Sequence, residues 1–214
     1  MSPWWIVPVW GVLGALVGTP LSRLTQTSLT GGRRDHPLTT AATVCSATAV
    51  LFGLLAWHVG LHSELLADSA LAAVCVPLAV IDLVEHRMPT KLLVPAYPGL
   101  VVLFGLAAAV EHNGAAMLRS CAGMVILFSF YLLIALTARG ALGAADVRLA
   151  GLLGLALAWP GWATFLAGAL LGLLYGALTG ATMILLHRAR WHTLIPLGPA
   201  LIAGTLTALL VPLG

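Results

Sequence analysis

Two aspartates, Asp82 and Asp146, stand at the edges of long apolar runs in a chain of 214 residues whose Asp and Glu together number only 7. An ionisable side chain at membrane depth is expensive, so one that is retained is a functional suspect. Two carboxyls held a few ångströms apart at a low-dielectric boundary cannot both ionise cheaply, and such a pair keeps one shared proton near neutral pH. That state suits general acid–base chemistry. The ionised carboxylate takes a proton from an attacking water while its protonated partner polarises the carbonyl under attack. The proton belongs to the pair, so neither aspartate is assigned a fixed role. No metal or organic cofactor is expected.

The elements that must position these carboxyls are membrane helices. The chain is 60% hydrophobic and 8% charged, with a mean hydropathy of +1.03, and such a composition cannot present an ordinary water-facing surface. The stretch from Leu149 to Leu186 contains no Asp, Glu, Lys or Arg, and at about 1.5 Å per residue it suffices for roughly two crossings of the hydrocarbon layer. Trp159-Pro160-Gly161-Trp162 interrupts it: Pro cannot continue the helix, Gly permits the reversal, and both indoles favour the lipid–water interface. The same reading along the chain predicts an all-α, polytopic membrane protein. Its about eight transmembrane helices lie near 3–22, 38–60, 64–84, 90–110, 116–138, 142–158, 161–186 and 194–213, in one transmembrane domain over 1–214. Met1-Ser2-Pro3-Trp4-Trp5 lacks the positive n-region of a cleavable signal, so the first helix reads as a permanent span.

Lys and Arg in short loops are retained on the cytoplasmic side. Arg23, Arg33 and Arg34 follow the first helix, Arg87 and Lys91 the third, and Arg188 and Arg190 the seventh, while Arg139 and Arg148 flank the fifth connection. Only Arg119 falls on the other side. The bias predicts both termini outside, with Asp82 and Asp146 at similar shallow depth on the cytoplasmic face, where they can meet. A structural reading stands beside this one: Asp146 as the N-cap of the sixth helix, and Asp82 as an interfacial ion-pair partner of Arg87 or Arg148.

The flanking residues carry more. Asp82-Leu83-Val84-Glu85-His86-Arg87-Met88-Pro89-Thr90-Lys91 puts an acid at a helix end and a Pro at the opening of the next helix. Gly143-Ala144-Ala145-Asp146-Val147-Arg148-Leu149 surrounds the second acid with small residues that leave its backbone open to another chain. Pro196-Leu197-Gly198-Pro199 breaks or bends the cytoplasmic end of the eighth helix. In this order and on one side, these segments resemble the type IV prepilin peptidase family of intramembrane aspartic proteases, over roughly residues 70–210.

The resemblance implies a catalytic pair, Asp82 and Asp146, with Gly143, Ala145, Arg148, Lys91, Pro89, Pro196, Gly198 and Pro199 in supporting or substrate-binding positions. It departs from the family's Gly-x-Gly-Asp-Val-Lys-Leu at Ala145 and Arg148, and from its Pro-Phe-Gly-Pro at Leu197. Ala145 adds a methyl group beside the reacting carboxyl, and Arg148 keeps the charge of the family's Lys with a different geometry. The implied substrate is a prepilin or pseudopilin, cut between its basic leader and its apolar helix at a bacterial cytoplasmic membrane. No nucleic-acid partner is expected, and the oligomeric state stays open. Larger members carry zinc-binding Cys-x-x-Cys pairs after the first helix and methylate the new N-terminus. Here Cys45, Cys75 and Cys121 all sit in apolar helices without metal-ligand spacing, so the resemblance implies cleavage rather than methylation.

Other features read as structural. Gly168, Gly172, Gly176 and Gly180 form a stripe for close helix packing. His187 and His192 are interface residues, Tyr131 and Tyr175 packing or anchoring residues, and Glu85 and Asp35 solvated charges that could also attract a basic leader. A proton-coupled transporter and a catalytically inactive scaffold of a pilus or secretion system remain the alternatives.

Overall fold

Helices account for most of residues 4–29, 36–137, 142–185 and 197–211, which the computed structural model describes. In order they are α1 (Ile6–Ser28), α2 (Ala41–Val59), α3 (Glu64–Glu85), α4 (Thr90–Val110), α5 (Gly114–Thr137), α6 (Ala144–Leu157), α7 (Trp162–Leu185) and α8 (Leu197–Leu210), with a 3-10 turn at Pro37–Thr39. The protein is an all-helical, polytopic membrane protein. Helices α1–α5 and α7 are long and apolar enough to cross a membrane. Helices α6 and α8 have 14 residues each, a rise of about 21 Å against a hydrocarbon layer of about 30 Å. Among the described residues, six of the eight expected helices are thus of spanning length and two are shorter. Of the residues singled out above, Arg33, Arg34, Asp35, Arg139, His187, Arg188, Arg190, His192 and Pro196 lie outside the described residues.

Contacts divide the chain into two units, Met1–Glu85 with Pro89–Gly114 and His86–Met88 with Ala115–Gly214. In the first, α1 packs along α2 and α3 touches α1, α2 and α4. Close approach of α1 to α2 depends on glycine: a Cβ at Gly14 would stand 2.8 Å from the Thr48 carbonyl, and one at Gly18 would stand 2.6 Å from the Cys45 Cα. Helix α3 is the central element, with 72% of its apolar window buried against 22% for α1 and 33% for α4. A helix apolar on every side belongs inside a bundle.

Helix α1 runs six residues past the expected stop at 22. Pro20 lacks the N–H that would bond the Leu16 carbonyl, but the Thr19 hydroxyl donates to that oxygen at 2.8 Å. The Ser22 and Thr25 hydroxyls donate in the same way to the Thr19 and Leu21 carbonyls. Side chains thus replace the hydrogen bond whose loss makes a Pro look like a terminator.

In the second unit, α5 and α6 meet backbone to backbone. A Cβ at Gly123 would lie 2.6 Å from the Gly154 carbonyl oxygen, and one at Gly154 would lie 2.5 Å from that of Gly123. Arg119, the one basic residue outside the charge bias, donates from Nε to the Ala158 carbonyl at 2.6 Å and from Nη2 to that of Trp159. It caps the carbonyl end of α6, where the helix dipole favours a cation. Helices α7 and α8 also close on glycine, with a Cβ at Gly204 standing 2.6 Å from the Gly172 Cα. Gly168 lies against Leu157 and Gly176 against Leu197, so these three members of the glycine stripe serve packing. The turn at Trp159–Gly161 reverses the chain between α6 and α7 as expected.

Candidate active site

Asp82 occupies the last turn of α3 and is 5% exposed. Beside it in the chain, Ile81 and Val84 are buried in a cluster with Leu29, against which Leu92 packs. The C-terminal end of a helix carries partial negative charge, so the dipole works against an ionised carboxylate there. His86 follows with a positive φ of 53°, the left-handed conformation that commonly ends a helix. Pro89 then takes the N-cap position of α4, and its carbonyl accepts from Leu92 and Leu93 at 3.0 and 3.3 Å. The expected acid-to-proline corner is therefore built in four residues, 86–89. Lys91 is exposed on the first turn of α4, and Arg87 is exposed in the corner.

Asp146 is half-buried in the first turn of α6. Its expected alternative role as N-cap is corrected by the geometry: Gly143 is the N-cap, and it makes no side-chain capping bond. The Gly143 carbonyl accepts from the Asp146 and Val147 N–H groups at 3.1 and 3.4 Å. Asp146 stands three residues inside the helix, where the dipole favours its negative charge. Its Oδ2 folds back over Gly143, 3.1 Å from where a Cβ would be, so any side chain at 143 would press on the carboxylate. Ala144 and Ala145 occupy the two positions between, and Arg148 is exposed one turn on.

Gly143, Ala145, Asp146 and Arg148 are thus brought together at the start of α6, and Asp82, Pro89 and Lys91 at the α3–α4 corner. Gly198 and Pro199 lie in the described part of α8. Because α8 starts against Gly176 of α7 while Gly168 faces Leu157, the start of α8 lies at the Asp146 end of α6.

One group escaped the sequence reading, and another was read only as a packing or anchoring residue. Asp68, in the second turn of α3, is also 5% exposed, and the signal that would have found it is the one applied to Asp82, an acid inside an apolar run. Near it, the Ser63 hydroxyl donates to Glu111 Oε1 at 2.6 Å and the Ser63 N–H to the same oxygen at 3.3 Å. The Ser63 hydroxyl, aided by that N–H, holds the Glu111 carboxyl below the usual carboxylate range. The second is Tyr131, whose side chain is 1% exposed and lies within the field of the Asp146 carboxylate. Among the described residues, no group of three or more His, Cys, Asp or Glu side chains is arranged to hold a metal.

Sequence comparison places these residues in a known family. The profile described as "Type IV leader peptidase family" matches residues 69–185, which include both Asp82 and Asp146. A prepilin leader peptidase/N-methyltransferase of Stutzerimonas stutzeri is 32% identical over 167 residues, covering 77% of this chain and 56% of that protein. The protein of the same name from Pseudomonas aeruginosa is 34% identical over 167 residues, covering 76% and 56%. That from Aeromonas hydrophila is 36% identical over 146 residues, covering 67% and 49%. The chain therefore spans about half the length of the curated relatives it matches. No solved structure matches it. The match over more than half of its length establishes that the chain belongs to the Type IV leader peptidase family.

Proposed function

We propose that this protein is a membrane aspartic endopeptidase that removes the leader peptide from a prepilin or pseudopilin, with Asp82 and Asp146 as its catalytic pair and 1–214 working as one peptidase domain. The observation that carries the reading is the chemical setting of the two acids inside the matched stretch. One carboxyl is almost wholly buried at the carbonyl end of a helix, and the other sits at the amide end of a second helix beside small residues. The first setting is closed and the second is open enough to admit a substrate chain. In the reaction, water adds its oxygen to the scissile carbonyl carbon as its proton passes to the ionised aspartate. The carbon–nitrogen bond then breaks as the nitrogen takes a proton from the pair. The exposed Gly143 and Ala144 and the small Ala145 leave room for a substrate backbone, and supporting roles fall to Arg148 beside Asp146 and to Lys91 at the corner after Asp82.

The relatives' name also includes an N-methyltransferase. The three cysteines of this chain, Cys45, Cys75 and Cys121, supply no Cys-x-x-Cys pair, and the proposal is confined to cleavage. The positive-inside bias supports a cytoplasmic-facing site in a bacterial cytoplasmic membrane. There the apolar helix of the substrate stays in lipid while its basic leader reaches water.

Co-expression with a prepilin tests the reading, with leader removal followed by mass spectrometry. Wild type removes the leader, whereas Asp82→Asn and Asp146→Asn leave it in place. Full processing by either variant would sink the pair, and a wild type that leaves the leader attached would turn the assignment toward a scaffold or transporter.

A further inference from the structure

The structure holds a buried hydroxyl that the proposed cleavage does not yet use. Tyr131 is the largest fully buried side chain among the described residues, at 1% exposure, and its phenolic oxygen has no hydrogen-bond partner among them. A buried donor without a partner costs free energy that a Phe in the same place would avoid. Phe128 and Phe130 stand on the same helix, so an aromatic without the hydroxyl is available to this helix, and Phe130 already packs edge-on against the Tyr131 ring with centroids 5.4 Å apart. Among the described residues, then, the hydroxyl contributes no bond that a Phe would lack.

Helix register says what it faces. The α5–α6 contact is fixed where Gly123 meets Gly154, and a Cβ at Gly154 would also lie 3.0 Å from the Leu127 Cβ. Arg119, earlier on α5, reaches the Ala158 and Trp159 carbonyls at the far end of α6, so the two helices run antiparallel. Tyr131 lies eight residues beyond Gly123 and Asp146 eight residues before Gly154, and eight residues of helix rise about 12 Å in each case. The two side chains come level at the opening of α6. The field of the Asp146 carboxylate at the Tyr131 hydroxyl agrees with that register. Asp146 Oδ2 is folded over Gly143 in a turn of small residues, which leaves the carboxyl room to change rotamer.

We propose that Tyr131 is a positioning residue for leader-peptide cleavage, its phenolic O–H donating a hydrogen bond to the Asp146 carboxyl group as water attacks the scissile carbonyl of a bound substrate. The inference rests on the reading of Asp146 as a member of the catalytic pair. A bond formed only as the reaction proceeds contributes to kcat rather than to substrate binding, which separates this role from a packing role.

The test is Tyr131→Phe in the full-length protein in detergent, assayed on a purified prepilin. The expected result is a kcat lower by about 10- to 100-fold, the range of one hydrogen bond to a charged group, with KM within about two-fold and a Tm equal to or above that of wild type. Tyr175→Phe, which removes a hydroxyl elsewhere in the same unit, keeps the wild-type kcat. A Tyr131→Phe enzyme with wild-type kcat overturns the inference alone, as does a loss of rate that accompanies a lower Tm or is matched by Tyr175→Phe. Failure of the wild type to process the prepilin overturns the reading of Asp146, and this inference with it.

Discussion

Asp68 and Asp82 share helix α3, lie about four turns apart and are equally buried at 5% exposure, yet their surroundings set them different tasks. Asp68 is one turn from Glu64, the first residue of the helix, at the end where the dipole accommodates acids. Around it the end of the helix is tied down by structural bonds: Trp10 Nε1 donates to the Ser69 hydroxyl at 2.9 Å, and Ser63 bonds to Glu111. Asp82 is in the last turn, where the dipole opposes a carboxylate by roughly 0.3–1 kcal/mol, and it precedes the left-handed His86 and the Pro89 corner. Burial alone therefore does not single out a reacting acid. Position along the helix dipole and the chemistry of the adjoining turn separate the two.

The largest effect expected of this contrast is on rate. On the proposed mechanism Asp82→Asn and Asp146→Asn each remove a group that moves a proton, and each lowers leader cleavage by about 10²- to 10⁴-fold, measured as initial rates on a purified prepilin. Both variants keep the wild-type helical circular-dichroism spectrum, because Asn fills the same volume. If Asp68→Asn were equally damaging, the contrast would collapse, and a carboxyl at the opposite end of α3 would have to be part of the chemistry, as a proton-coupled transporter requires.

Much of this was legible before any coordinates. Long apolar runs, the Trp159–Trp162 turn and the Pro89 corner mark the helices to within a few residues, because in lipid each backbone group must be satisfied within its own helix. What was not legible depended on side chains borrowing backbone roles. The first helix reads as ending at 22, whereas α1 runs to Ser28, with hydroxyls of Thr19, Ser22 and Thr25 bonded to its carbonyls. Arg119 reads as an exception to the charge bias, whereas its guanidinium caps α6 through tertiary contact. The alternative reading of Asp146 as an N-cap fails because backbone geometry gives that place to Gly143. The hydroxyl of Tyr131 gains meaning only from the Gly123–Gly154 register, which no local pattern encodes.

Next in size is a change in stability at the Asp68 end. Trp10→Phe deletes the indole N–H that bonds to Ser69 and lowers stability by about 1 kcal/mol, visible as a reduced Tm in detergent. Its cleavage rate per folded molecule stays within about two-fold of wild type, because nothing at the Asp82 end has moved. A large loss of rate at unchanged Tm would show that the two ends of α3 are not separable. A smaller change still is expected from Asp68→Asn. It exchanges a buried carboxyl for a neutral group of the same shape, so Tm holds or rises slightly and cleavage stays within about three-fold.

The smallest effect has a pH signature. Ser63 holds the exposed Glu111 carboxyl below its ordinary range through the hydroxyl and N–H bonds to Oε1. A carboxyl whose folded value is depressed adds stability that is fully present above its unfolded value, about 4.3 for Glu, and is lost as pH falls through the lower folded value. Glu111 faces solvent, so screening keeps the contribution well under about 1 kcal/mol. Ser63→Ala should therefore lower Tm slightly at pH 7, and the gap between variant and wild type should close as pH drops below about 4. A gap that persisted at low pH would assign the loss to the 3.4 Å bond from the Ser63 hydroxyl to the Ala107 carbonyl instead, because that bond carries no titrating group. Either way, Ser63→Ala leaves cleavage at neutral pH unchanged, since an end of α3 held by neutral and surface bonds can be loosened without disturbing the buried carboxyl at the other end.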